Sequence, residues 1–387
     1  MIKEAKSRVF VRKLYRTRWF WILRNFIRGI FQQSPIVHPI VDDRQQLDMD
    51  EMKAEKIIID WGDQCLKPRV GLVRDRREYP YWTKFERFLK NNQIPFEYYT
   101  VHNSNWVAAA EKFDVILWAT EEATSYNVEE SRRKVYILEQ LLGKTCFPSF
   151  DTLMWNEDKI TQYELLKIYK LPIIDTFISH DLNEIRNLTS EFSYPLVTKL
   201  STGAGSVAVE LIKNGKQAHT IIKDIFSVDG RKTYWPYFRQ KDYVYFQKFQ
   251  PNEGYDLRII VIGNNVLGYY RDVPGGEYRA SGMNTVRFGA IPEAAARLAR
   301  EVARAFNEVV VAVDMLKSPL DGKFYIIELG AMPTIDLPGD LIVNGVKGVY
   351  FFDAFDRFIF KPGIYWTQEF MLREFFQRKW ISNSVGK

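Results

Sequence analysis

Cysteine and histidine are scarce in this 387-residue chain, which holds two of the first and four of the second. Cys65 and Cys146 lie far apart and form no CxxC or Cys/His cluster, which argues against a disulfide scaffold or a zinc site and fits a reducing compartment. His38, His102, His180 and His219 are scattered, so nucleophilic catalysis through a His-activated Ser or Cys has no visible basis. No run of about 18 uncharged apolar residues occurs, and a membrane-spanning helix is therefore not expected. GxGxxG does not follow the first strand-like segment and GxxxxGK[ST] is absent, so neither familiar phosphate loop is present. Internal repeats and low-complexity tracts are missing as well.

What the chain does have is material for a core. It is 46% hydrophobic and 15% aromatic, too apolar for a disordered chain. At roughly 150 residues per domain, two or three compact units are expected. Its charge is lopsided. Residues 1–33 carry nine Lys/Arg against the single acid Glu4, while the other 354 residues hold 45 bases and 47 acids. The basic balance therefore belongs to the N-terminal arm, and the nearly neutral body argues against nucleic acid as a partner.

In that arm Tyr15, Trp19, Ile22, Leu23, Phe26 and Ile30 fall within an arc of about 100° on a helical wheel, with Arg18, Arg24, Asn25 and Arg28 opposite. A basic amphipathic helix with Trp and Phe on its apolar edge suits an anionic membrane surface. Docking on its own body or on a partner subunit is the competing reading. Arginines interrupt the apolar stretch and no small-residue cleavage site follows, which disfavours a signal peptide.

Residues 34–66 read as a linker, with Pro35, Pro39 and an acidic stretch at 42–55. Strands are expected at 70–73, 95–101 and 113–119 and helices at 81–91 and 132–142, the last ending at Gly143. This predicts a small open α/β sheet over 67–150. From 151 the pattern changes to a helix at 158–170 and strands at 195–199, 207–212, 243–249, 256–262 and 266–271. A hairpin is expected at Gly263-Asn264-Asn265. A helix at 293–306, a strand pair at 309–316 and 324–329, and an aromatic-rich helical segment at 346–387 complete the α/β (α+β) reading.

Chemistry-bearing residues cluster in the second half. Lys199 ends a strand and precedes Ser201, Thr202, Gly203, Ala204, Gly205 and Ser206, whose backbone N–H groups could approach phosphate closely. An ordinary hairpin turn is the plainer alternative. Asp314 and Glu328 sit on two buried strands, an arrangement that is costly unless each carboxylate is paired or binds a cation. Both a Mg²⁺ site and arginine partners satisfy that demand. Arg258, Arg271, Arg279 and Arg287 lie on or just after the intervening strands and suit a phosphate or acyl-phosphate.

The order of these pieces is more specific than any one of them. Lys159, then PLVTKLSTGAGS, FQKFQPNEGYDLRIIVIGNNVLGYYR, GEYRAS, VAVDML and YIIELGAMP resembles the ATP-grasp superfamily over residues 67–340, closest to the carboxylate–amine ligase branch that includes the glutamate ligases of ribosomal protein modification. That resemblance implies an ATP-grasp fold over 151–345 with ATP and Mg²⁺, or Mn²⁺ in its place, as cofactors. It further implies that Lys159 and Lys199 contact nucleotide phosphates, that Ser201, Thr202, Gly203, Gly205 and Ser206 belong to the loop closing over them, and that Gln247 faces the adenine amino group. Lys248 and Phe249 would form a hinge whose backbone also reads the base, and Asp256 would lie near the ribose. Arg258, Arg271 and Arg279 would act on phosphates and the acyl-phosphate, with Ser281 where an Asn is common, and Asp314 and Glu328 would hold metal. The family's Glu-x-Asn is here Glu328-Leu329-Gly330, which removes one oxygen ligand and leaves Asp336 and Asp340 as nearby substitutes.

On this reading the chain is an ATP-dependent ligase joining a carboxylate to an amine. The arm points to a small-molecule or glycan carboxylate in bacterial surface polysaccharide synthesis, at the inner face of the cytoplasmic membrane. An ATP-grasp phosphotransferase acting on a sugar hydroxyl, and a non-catalytic ATP-binding module recruiting a glycosyltransferase, remain open, as does the oligomeric state.

Overall fold

The computed structural model describes residues 40–49, 52–62, 65–77, 79–120, 125–188, 191–203, 209–233, 238–273, 286–333 and 341–382. The basic arm lies outside them. Among the described residues no helix is long and apolar enough to cross a membrane.

The first sheet is parallel. Strands β1 (Val70–Val73), β2 (Phe96–Tyr99), β3 (Val115–Leu117) and β4 (Thr145–Phe147) run in the order β2-β1-β3-β4. β1 and β3 are buried along their whole length, as expected of parallel strands covered on both faces. Helices α1 (Arg44–Leu47), α2 (Trp82–Asn91), α3 (Trp106–Ala110) and α4 (Ser125–Tyr136) belong to this half. The helix expected at 132–142 thus starts earlier, and its last turn, Ile137–Leu141, widens to π geometry before Gly143 at φ +62°. The short α3 was not foreseen.

Helix α5 (Phe150–Trp155) and helix α6 (Lys159–Ile168) follow, α6 capped by the Asp158 carboxylate, which accepts from the N–H groups of Ile160 and Thr161. A second, antiparallel sheet is built from β5 (Thr176–Ser179), β6 (Leu196–Thr198), β7 (Glu210–Ile212) and β10 (Val244–Lys248) in the order β5-β10-β6-β7. A two-residue ribbon, β8 (Arg231–Lys232) with β9 (Arg239–Gln240), lies between, and α7 (Leu182–Leu188) and α8 (Gly215–Ile225) belong to the same lobe. The lobe has its own core, in which Ile185, Leu196, Ile222, Val244 and Phe246 pack together.

The third and largest sheet has β15 (Phe324–Gly330), β14 (Val310–Lys317), β11 (Tyr255–Ile262), β12 (Asn265–Asp272) and β17 (Val346–Phe352) side by side. The short β13 (Val286–Arg287), β16 (Ile342–Val343) and β18 (Phe358–Pro362) attach to its edges. Ile262 pairs with Asn265, so the expected hairpin turns through Gly263-Asn264, with Gly263 at φ +57°. Helix α9 (Glu293–Ala305) packs on β11 and β14 through Ala295, Ala296, Ala299 and Val302.

The C-terminal segment corrects an expectation. Only its second half is helical, as α10 (Thr367–Phe376), while the first half extends the large sheet through β17 and β18. Helix α10 joins the parallel sheet to the large one in a single core: Phe376 stacks on Phe88 at 6.1 Å and Phe375 meets Phe147 at 5.3 Å. A buried ion-pair clamp sits beside it. Glu369, fully buried, is paired with Arg87 and accepts from Ile57 N–H at 3.3 Å, and Lys84 pairs with Asp43. Residues 55–59, expected to be linker, are part of this packing, with Ile57 and Ile59 buried and Ile59 N–H bonded to Asn92 at 2.8 Å.

Candidate active site

A cleft of about 720 Å³, partly open to solvent, lies between the second sheet and one face of the third. Ile174, Val197, Val209, Leu316 and Ile327 give it apolar walls, while Lys199, Gln247, Asp256, Arg271, Asp314 and Glu328 bring polar groups to it.

The charged row follows from strand register. Arg258 lies opposite Asp314, Asp314 opposite Glu328, and Asp256 opposite Arg271, so these side chains share one face of three adjacent ladders. Arg258 grips Asp314 bidentately, Nε to Oδ1 at 2.7 Å and Nη2 to Oδ2 at 2.8 Å. Arg271 donates from Nε to Asp256. Its Nη2 lies 2.7 Å from Asp314 Oδ2 but is misaligned for a hydrogen bond, leaving a charge contact only. Burial opposes ionisation of Asp314, yet the two guanidiniums hold its carboxyl well below the ordinary range. Asp256 goes the other way: burial, with Asp314 nearby, pushes it up to about 6 against the pull of Arg271.

A β-bulge shapes the far side of the row. Asp314 pairs with Glu328, but Met315 pairs with Ile326, leaving Ile327 as an extra residue in β15. Consecutive residues Ile327 and Glu328 consequently both line the cleft. The Ile327 carbonyl lies 3.5 Å from Lys199 Nζ, a long contact at the limit of a hydrogen bond.

The two lysines enter from opposite elements. Lys199 follows β6 directly, and Lys159 opens α6. Lys159 Nζ donates to Gly203 O at 2.6 Å and stands 3.0 Å from Glu328 Oε1, while its backbone N–H bonds Ser201 O at 2.8 Å. Burial depresses Lys159, but Glu328 and Glu157 outweigh it and raise the ammonium above its ordinary value. Lys199 has weaker compensation; burial, aided by the charge of Lys159, brings it down to about 8 despite Glu328 and Asp314. Tyr243, not singled out by the sequence, ties the loop down, accepting from Ser201 N–H at 2.9 Å and lying 3.2 Å from its hydroxyl.

The structure thus brings Lys199, Gln247, Asp256, Arg271, Asp314 and Glu328 to one cleft, with Lys159 and Arg258 paired to its Glu328 and Asp314; of the expected loop, Ser201 and Gly203 bond Lys159 through their carbonyls. Gly205, Ser206, Arg279, Ser281, Asp336 and Asp340 lie outside the described residues. Arg287 is not part of the group: it pairs with Asp272 at 2.9 Å on an exposed edge. At the expected hinge, Lys248 N–H bonds Asp175 O at 2.9 Å and Phe249 N–H bonds Pro195 O at 3.3 Å, and both residues line the cleft. Gly330 opposes Ala312, whose Cβ would lie 3.9 Å from an added Cβ, so local packing does not demand glycine there.

Residues 156–340 match the model of the RimK-like ATP-grasp domain. Among curated proteins, the chain is 28% identical to glutamate–LysW ligase ArgX of Sulfolobus acidocaldarius over 34% of its own length and 45% of that protein's. It is 24% identical to alpha-aminoadipate–LysW ligase LysX of Saccharolobus solfataricus over 50% of its length and 67% of that protein's. The chain therefore spans less than half of the first of these relatives. Among solved structures, D-cycloserine synthetase DcsG superposes with a TM-score of 0.50 at 13% identity, covering 69% of this chain and 92% of that one, which speaks to the fold alone. By sequence match, residues 156–340 of this chain are similar to the RimK-like ATP-grasp domain.

Proposed function

We propose that the protein is an ATP-dependent carboxylate–amine ligase. ATP passes its γ-phosphoryl to a substrate carboxylate, releasing ADP, and an amine then displaces phosphate from the acyl-phosphate to form an amide. The observation that carries the reading is a set of four cations at one apolar-walled cleft: Lys199 and Arg271 line it, and Lys159 and Arg258 pair with its lining carboxylates Glu328 and Asp314. The names of the two curated ligases support it.

In this chain Lys199 and Lys159 would receive the phosphate oxygens, and the guanidiniums of Arg258 and Arg271 would meet the charge that grows on the transferred group. Both arginines are pinned in place by Asp314 and Asp256, so little rearrangement is needed when that charge appears. A divalent cation fits here in a limited way. Among the described residues no group of three or more His, Cys, Asp or Glu is placed to hold one. Asp314 accepts two hydrogen bonds and Glu328 meets Lys159 through one oxygen, which leaves lone pairs on both of these cross-strand neighbours. Asp314 and Glu328 would hold Mg²⁺ with phosphate oxygens and water completing its shell, and the ion would neutralise phosphate charge.

The substrate class rests on the arm at 1–33. A basic, Trp-bearing amphipathic helix suits an enzyme held at the inner leaflet, and we infer that the carboxylate belongs to a sugar in surface-glycan synthesis. The test is the nucleotide product formed from ATP and Mg²⁺ with mixed uronic acids and amino acids, beside Lys199→Ala and Glu328→Ala. Acceptor-dependent release of ADP and phosphate, lost in both variants, is the expected outcome. ADP without free phosphate would replace the ligase by a phosphotransferase. Deleting residues 1–33 should abolish binding to anionic liposomes while sparing nucleotide binding.

A further inference from the structure

Thr176 is given no role by the sequence, yet it stands directly opposite Gln247 across the β5–β10 ladder. Its hydroxyl donates its one hydrogen to Ile174 O at 2.8 Å. What remains on that oxygen can only accept, and Gln247 Nε2 donates to it at 3.0 Å. The direction of the Gln247 amide is thereby set by a chain running from Gln247 NH₂ to the Thr176 hydroxyl to the Ile174 carbonyl. Gln247 is 5% exposed and lines the cleft. Among the described residues no donor reaches its Oε1.

We propose that Thr176 is a positioning residue that fixes Gln247 with its carbonyl oxygen toward the cleft, so that the site selects a base bearing an exocyclic amino group over one bearing a carbonyl at the same place. The proposal rests on the nucleotide reading above and adds the origin of its base selectivity. Adenine presents an NH₂ donor where guanine presents an acceptor, and an accepting Oε1 pairs with the first and repels the second. Reversing the amide would require the Thr176 hydrogen to turn to Oε1 and desert Ile174 O. Leaving one buried acceptor unpaired typically costs about ten-fold or more in an equilibrium constant. Tyr245, two residues from Gln247 on the same face of β10, places its phenol beside the Thr176 hydroxyl and adds to this fixed cluster.

The experiment is calorimetric binding of non-hydrolysable ATP and GTP analogues, with Mg²⁺, to the full chain and four variants. Wild type should favour the adenine analogue by at least ten-fold. Thr176→Val, which keeps the shape and removes the hydroxyl, should lower that ratio by about ten-fold, with the guanine analogue gaining, while Thr176→Ser retains it. Gln247→Glu has no amide to reverse, so Thr176→Val should leave the ratio unchanged in that background, an outcome that a merely structural role for Thr176 would not produce. An undiminished ratio in Thr176→Val, equal loss in Thr176→Ser, or no adenine preference in wild type overturns the proposal while the nucleotide reading stands. If wild type binds neither analogue, the nucleotide reading falls and this one with it. Should Thr176→Val fail to fold, the Ser variant and the wild-type preference still decide.

Discussion

Two ion-pair networks with buried members are built from the same residue types. One joins Glu369 to Arg87 and Lys84 to Asp43 beside α10; the other joins Asp314 to Arg258 and Arg271, Asp256 to Arg271, and Glu328 to Lys159. The first pins a C-terminal helix to the parallel sheet and lines no part of the cleft. The second is strung along one face of a sheet and lines a cleft, with a lysine and an aspartate whose protonation is poised near neutrality. Buried charge alone does not mark a site. What distinguishes the second network is the open space in front of it.

The sharpest way to break the comparison is to remove one arginine from each network. Arg258→Ala strips Asp314 of its bidentate partner and leaves the buried carboxyl with only the charge contact of Arg271. About 3 kcal/mol of stability should be lost, along with all nucleotide turnover. Arg87→Ala should cost less at pH 6, because burial already raises Glu369 to about 7 and the acid can neutralise itself. Nucleotide affinity should be untouched. Unfolding midpoints with calorimetric titration of the two variants check both statements, and equal losses of affinity would erase the distinction.

Next comes Lys199. Its removal as Lys199→Ala should weaken ATP binding by about a hundred-fold, as expected for a desolvated charge meeting phosphate. Its depressed value has a further consequence: above pH 8 the empty cleft loses that charge, so affinity should fall between pH 7 and 9 in wild type and hold steadier in Lys199→Arg. Binding constants measured across that range decide the matter.

A third contrast is the pH response of stability. Glu369 has its folded value raised above the unfolded one, so its contribution is complete below pH 4.5 and is lost as pH rises through about 7. Wild type should lose on the order of 2 kcal/mol relative to Glu369→Gln between pH 5 and 8, read from thermal unfolding of the pair. A flat difference would place the clamp's charge state elsewhere.

The smallest effect is expected at Gly330. Gly330→Asn should fold with little change in midpoint, since the added Cβ has room beside Ala312. It should also strengthen Mn²⁺ binding to the complex with a non-hydrolysable ATP analogue, measured by paramagnetic resonance.

Much of this arrangement was legible in the sequence because strands that bury both faces announce themselves as apolar runs, and a charge inside such a run is conspicuous. Asp314 in VVAVDML and Glu328 in FYIIELG are visible for that reason. Whether arginine or metal satisfies Asp314 was not legible, since the answer depends on which strands become neighbours. Thr176 and Tyr243 escaped because a hydroxyl on a short strand is ordinary until its partner across the ladder is known. In the C-terminal segment the aromatic richness suggests helix and hides the hairpin signal of the Asp353–Arg357 turn, in which Asp353 accepts from Phe355 and Arg357 N–H. The bulge at Ile327 left no mark at all, because β-branched residues fill bulged and regular strand positions alike.

That bulge carries an unusual genetic consequence. Losing one codon inside a buried strand ordinarily throws every later side chain onto the wrong face. Here Ile326 and Glu328 already stand opposite consecutive residues of β14. Excising Ile327 would therefore close the ladder with every other pair still in register. A single in-frame deletion would leave the sheet intact while withdrawing one wall of the cleft and the carbonyl nearest Lys199. The ladder's register does not call for the extra residue, and that residue lines the cleft.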